Sequence, residues 1–173
     1  MRRTVIAVAT AILTIAVAAS PAAASHGNKA NAGPPDNAQQ DVQTNSLTTG
    51  GTAAYSHGRA QLDRTDITMS TGGSDLHVYD ASYSSSWYGQ TSCTDRNWLN
   101  GKCDHMDIKF NTRLMSGAST SKWQSLGCHE FGHSGGLGHR YRSTDSNDNS
   151  CMRDDIWPKY LDTHDIDAVN QYV

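Results

Sequence analysis

His129, Glu130 and His133 stand as H-E-x-x-H within GCHEFGHSGGLGHR, residues 127–140. At about 100° per residue, two histidines four positions apart on an α-helix lie only about 40° apart, so both imidazoles reach one ion. Glu130 falls about 60° beyond His133 on the same side, placed to contact an ion-bound water without being a ligand. Phe131, about 200° around from His129, points the other way, into a core. A catalytic zinc with one open position needs a third protein ligand, and His139 is the candidate. Were the helix to continue, His139 would lie roughly 9 Å further along and about 240° around from His133, so the helix must stop. Gly135-Gly136 supplies the stop, because glycine adopts the left-handed conformation that ends helices without steric cost. The plainer alternative, a histidine-rich exposed helix end without a metal, leaves that glycine placement unexplained.

These residues need elements to hold them. Ser121 followed by Gln124 is a capping-box pattern, and a helix is expected over about 121–134. Ahead of it, HMDIKFN alternates Met106, Ile108 and Phe110 with polar neighbours, the period of a strand with one buried face. From about Ala53 to Asn111 the apolar residues come in short runs such as DITMS, DLHVYDA and SSWYGQTSC, which is strand-and-loop punctuation. No amphipathic helix is marked ahead of Ser121. Residues 141–158 read as loop, and a second helix is expected near the end, with Thr163 as cap, Asp165 and Asp167 in its first turn, and Ile166, Val169 and Tyr172 on one face.

The first 24 residues read as a secretory leader: Arg2 and Arg3, an apolar run from Val5 to Ala18, then Ala22-Ala23-Ala24 as a cleavage site. The apolar run is short of the roughly 20 residues a membrane-spanning helix needs. Removing 24 of 173 residues leaves 149, enough for one core plus a tail. Taking two positive charges from −3 leaves the mature chain at −5, and without a basic stripe neither nucleic acid nor an anionic membrane is an expected partner. Residues 25–51 hold almost no large apolar side chain and are expected to be a disordered linker or pro-segment, with the catalytic domain spanning 52–173. The four cysteines all lie in the mature part, where an even number in an oxidising compartment reads as two disulfides with three possible pairings.

His129, Glu130, His133, Gly136 and His139 together spell H-E-x-x-H-x-x-G-x-x-H, which resembles the extended signature of the metzincin zinc endopeptidases. SCMRDD offers Met152 as the methionine of the turn that such enzymes place below the zinc, and DTHDIDAVNQYV looks like the closing helix of matrixin-type and small secreted bacterial members. With WYGQTSC and IKFNT, the similarity covers roughly Trp87 to Val173. It implies an α+β fold: a twisted mixed sheet with an active-site helix, a methionine turn and a C-terminal helix. It also implies one catalytic zinc held by His129, His133 and His139, with Glu130 as general base towards a zinc-activated water. In that family the segments holding Cys128 and Cys151 lie one beneath the other, which implies Cys128–Cys151, leaving Cys93–Cys103 as a local clamp. Two departures stand out. Asp154 occupies the position where some members carry a zinc-approaching tyrosine, and Arg140, following the third histidine, fits none of the main subfamilies.

The oxygen-rich STDSNDNS offers Asp145 and Asp148 to a calcium ion, but no glycine-containing ligand loop of known spacing is present, so a solvated loop is expected. His77, His105 and His164 each sit alone in a strand or at a helix start and read as satisfied polar groups. Trp87, Trp98, Trp123 and Trp157 are expected to fill the core or its rim, with Trp87-Tyr88 also placed to border a cleft. The reading is therefore a secreted, monomeric zinc endopeptidase acting on extended peptide or protein segments laid along an edge strand. A zinc hydrolase of a non-protein amide would share the site. A secreted binding module with a structural metal would not need a carboxylate where Glu130 stands.

Overall fold

The computed structural model describes residues 32–140, 149–153 and 157–173. The leader, Asp145, Asp148 and Asp154 lie outside the described residues. Eight elements follow in order: β1 Gln39–Asn45, α1 Thr49–Leu62, β2 Thr68–Thr71, β3 Leu76–Ala81, β4 Gly89–Arg96, β5 Cys103–Asn111, α2 Thr120–Ser134 and α3 Thr163–Tyr172. The strands form one sheet in the order β2-β1-β3-β5-β4, parallel except for β4, which runs antiparallel to β5 as an edge. This is the α+β, mixed-sheet architecture expected.

In β5 the alternation holds: Met106, Ile108 and Phe110 are buried, beside Leu76 and Val78 of β3 and Val42 of β1. They meet Ala54 and Leu62 of α1 and Leu126 and Phe131 of α2 in one core. Phe131 points inward, as its helical angle requires. Trp123 lies against Phe110 with ring centroids 6.4 Å apart, but Trp98 departs from expectation and is 86% exposed at the β4–β5 turn. Cys93–Cys103 clamps the base of that turn, and Cys128–Cys151 joins α2 to the segment before α3.

Two expectations fail at the N-terminal side. Residues 39–45 are not a disordered linker but β1, hydrogen-bonded to β2 on one side and β3 on the other. Its polar side chains are tolerated because the ladders on both sides satisfy the backbone, Val42 faces the core, and the buried Gln40 amide donates to Asn37 O at 2.9 Å. The domain boundary at 51/52 likewise falls inside α1, a helix that sequence periodicity did not mark. Thr48 caps it, accepting from Gly51 N. Its buried face is Gly51, Ala54, Gly58, Gln61 and Leu62, mostly residues too small to register as an apolar stripe.

Small residues are there because α1 and α2 almost touch. A Cβ on Gly127 would strike the backbone carbonyl of Ala54, and one on Gly58 would come within 2.5 Å of Gly127 O and Phe131 Cδ2. Helix propensity alone favours alanine over glycine by about 1 kcal/mol. Here the obstructing atom belongs to a packed backbone, where overpacking costs about 3 kcal/mol. Gly127→Ala is therefore expected to lower the unfolding free energy by about 2 kcal/mol; a variant more stable than the parent would contradict the close approach.

Candidate active site

The helix carrying the H-E-x-x-H residues starts one turn-position earlier than the capping box suggested. Ser119, not Ser121, is the N-cap, accepting from Lys122 N, while Gln124 takes no part in it. The end is a Schellman turn: Leu137 N donates to Gly132 O and Gly136 N to His133 O, both at 3.0 Å, with Gly136 in the left-handed region at φ 90°. Gly135 keeps a negative φ of -77°, so Gly136 makes the reversal. Leu137 is buried, and its carbonyl accepts from His133 Nδ1 at 2.7 Å, so the turn that ends the helix also orients one imidazole.

The reversal brings His139 beside the other two. Ring centroids of His129, His133 and His139 form a near-equilateral triangle with sides of 4.6, 5.0 and 4.8 Å, and one ligand nitrogen from each lies within 4.8 Å of the others. His129 Nδ1 faces Cys151 O at 2.7 Å. Carbonyl oxygens only accept, so His129 and His133 both carry their proton on Nδ1 and present Nε2 lone pairs. Those two Nε2 atoms are 3.1 Å apart. Two lone pairs at that distance repel unless a cation lies between them. Burial first, then the neighbouring His129, pushes the His133 pKa down to about 3, so a proton is a poor candidate for that cation. The donor set fits a zinc-class ion, which prefers neutral imidazole.

Glu130 is 3% exposed, and burial raises its pKa to about 8, opposed by a hydrogen bond from Thr91. The Thr91 hydroxyl lies 2.8 Å from Glu130 Oε2 and 2.9 Å from the Glu130 carbonyl, coupling β4 to the helix. Gly89, also on β4, lies so close that a Cβ there would strike the Glu130 carboxylate. Beside these groups opens a cleft of about 300 Å³ lined by His129, Glu130, His139, Tyr88 and Trp157 among others. At its rim Lys122 Nζ sits over both rings, 4.7 Å from Tyr88 and 4.3 Å from Trp157.

Met152 is fully buried beneath α2, and a Cβ on Gly132 would strike its sulfur. Its amide donates to Ser150 Oγ at 3.0 Å and its carbonyl accepts from Arg140 N at 2.9 Å. Ser150 Oγ in turn donates to Asp165 Oδ2 at 2.5 Å. Asp165 belongs to the start of α3, whose cap is Asp162 rather than Thr163: Asp165 N donates to Asp162 Oδ1 and Asp162 N to Asp165 Oδ2. Arg140 Nη1 reaches Asp162 Oδ2 at 2.5 Å and Asp165 Oδ1 at 3.3 Å. The residue after the third histidine thus fastens the reversed chain to α3.

Sequence reasoning missed Thr91, Gly89 and the carbonyls of Leu137 and Cys151. None has a local signature, since each acts through a contact across the fold. His77 and His105, read as solitary, stand side by side with Asp107; His164 lies with Asp162 and Asp165 at the α3 start.

No protein-family model and no curated protein matches the chain. Among solved structures, a crystal structure of myroilysin aligns over 82% of this chain and 83% of its own, at 9% identity and a TM-score of 0.50. A second structure of myroilysin covers 82% and 80%, at 9% identity and a TM-score of 0.48. At such identity the likeness is one of fold, and the mixed five-stranded sheet with its helices is a fold this chain shares with myroilysin.

Proposed function

We propose that the chain is an exported zinc-dependent endopeptidase of metzincin type, with His129, His133 and His139 as zinc ligands and Glu130 as general base. The observation that carries this reading is the convergence of three imidazoles on one point beside a buried carboxylate and an open cleft. When bound, zinc supplies Lewis acidity, lowering the pKa of a coordinated water towards about 7 and polarising a carbonyl oxygen.

The chain's own residues do the rest. Glu130 accepts a proton from water as it attacks the scissile carbonyl and delivers that proton to the leaving amine. Glu130 is buried, and the Thr91 hydroxyl fixes one of its oxygens. Met152 shapes the floor without binding the ion. An extended substrate strand pairs with the free edge of β4, whose Gly89 and Thr91 lie next to Glu130. Side-chain preference then falls to the rim formed by Tyr88, Trp157 and Lys122.

Export through the 24-residue leader fits two disulfides that need an oxidising compartment. No helix of the described residues is long and apolar enough to cross a membrane. In this reading the catalytic domain includes β1 and α1 rather than starting at residue 52, because α1 is packed directly against the helix that carries the ligands.

The test is cleavage of a reduced, unfolded protein. A zinc chelator is expected to stop cleavage and added zinc to restore it, whereas cleavage that continues after zinc has been stripped would defeat the proposal.

A further inference from the structure

The sheet carries a second group of ligand-type side chains, on the face turned away from α1 and α2. Along β3 and β5 the core-facing residues are Leu76, Val78, Met106, Ile108 and Phe110. Between them, on the opposite face, stand His77, Tyr79, His105, Asp107 and Lys109. The parallel register sets His77 directly opposite Asp107, and His105 is two residues before Asp107 on the same face. One ligand atom from each of His77, His105 and Asp107 lies within 4.8 Å of the others, and all three residues are half-buried. The two imidazole centroids are 4.4 Å apart with their planes at 89°.

We propose that His77, His105 and Asp107 form a second metal site, a zinc-class clip between β3 and β5 that is separate from the His129/His133/His139 centre. The choice of ion follows from the donors. Two imidazoles and one carboxylate suit zinc, cobalt or nickel, whereas calcium and magnesium demand oxygen ligands.

Two of the ligands are already oriented by a neighbour outside the site. The Tyr79 hydroxyl is 3.2 Å from His77 Nδ1, which leaves Nε2 for the ion, the outer partner that ligating histidines commonly have. Lys109 Nζ holds Asp107 Oδ2 at 3.0 Å, while Asp107 Oδ1 faces His105 Nε2 at 3.7 Å. Lys109 therefore turns the free carboxylate oxygen towards the histidines while offsetting its charge, so the imidazoles carry the affinity. The register neighbours of His77 and Asp107, Gln43 on β1 and Ser92 on β4, are uncharged, while His105 stands opposite the exposed Asp95 of β4, a further carboxylate beside the site. Zinc bonds of about 2.0–2.2 Å in a tetrahedral site place ligand atoms roughly 3.4 Å apart, so rotamer adjustments at two histidines close the site without moving the strands.

The experiment is titration of the metal-stripped mature chain with cobalt(II), read by visible absorption and by metal bound per chain. Wild type is expected to take up two equivalents. His77→Gln/His105→Gln should take up one, and Asp107→Asn, which keeps shape and strand pairing, should weaken the same equivalent at least tenfold. In His129→Gln/His133→Gln the strand site is read alone, so its result stands apart from the proposed catalytic centre. One equivalent there supports the clip; none overturns it, as does a His77→Gln/His105→Gln chain that still binds two.

Discussion

Glu130→Gln is expected to lower the rate of peptide cleavage about a thousandfold while zinc content stays at the wild-type level. That factor corresponds to about 4 kcal/mol of lost transition-state stabilisation. The substitution keeps the size of the side chain, and the amide oxygen still accepts from Thr91 Oγ1, which lies 2.8 Å from Glu130 Oε2 in the parent. What is lost is a group able to take a proton from water and return it to the leaving nitrogen. The three imidazoles are untouched, so metal binding survives. A neutral amide is also easier to bury than a carboxylate at a position 3% exposed, so the variant should melt no lower than the parent. Cleavage of an unfolded protein, compared at equal zinc content, decides the matter: a variant retaining a tenth or more of the parental rate would remove Glu130 from the mechanism.

The part of this site that was legible in the sequence is the part a single helix and its ending determine. His129 and His133 four apart, Glu130 between them and Gly136 before His139 need only helical geometry and the left-handed tolerance of glycine. β5 was legible because Met106, Ile108 and Phe110 alternate against one core face. The helix α1 was not, because close packing selects glycine and alanine and so erases the apolar stripe that periodicity detects. β1 was hidden for a related reason: a strand paired on both sides is held by its backbone and needs few apolar side chains. Thr91 against Glu130, and His77 against Asp107, depend on pairings between distant segments that no local spacing encodes. The cap assignments slipped by one or two residues, from Ser121 to Ser119 and from Thr163 to Asp162, since neighbouring hydroxyls and carboxylates compete for the same role.

Arg140→Met is expected to destabilise the fold by about 3–5 kcal/mol near neutral pH, the range for stripping one partner from a buried ion pair. Arg140 is 17% exposed and its guanidinium serves both Asp162 and Asp165, the latter 1% exposed. Removing it leaves the α3 capping box with two carboxylates that repel each other. The cost should depend on pH, with a sign that the two acids set differently. Burial, reinforced by the charge of Asp162, pushes the Asp165 pKa up to about 6. A carboxylate raised in this way contributes stability when both states are protonated and loses it as pH rises through the folded value, so Asp165 weakens the fold most above about pH 6. Arg140 limits that loss, and without it the loss deepens. Burial also works against ionised Asp162, yet the Asp165 amide and the Arg140 guanidinium hold its pKa below the usual carboxylate range. Its share of the deficit therefore persists until more acidic conditions. The difference in unfolding free energy between parent and variant should accordingly be larger at about pH 8 than at about pH 5. A deficit that is flat or larger in acid would mean that Arg140 acts through packing of its stem and not through its charge. Because this guanidinium fastens the chain just after His139 to α3, the variant should also bind zinc more weakly, about tenfold, the cost of disturbing a group that positions a ligand.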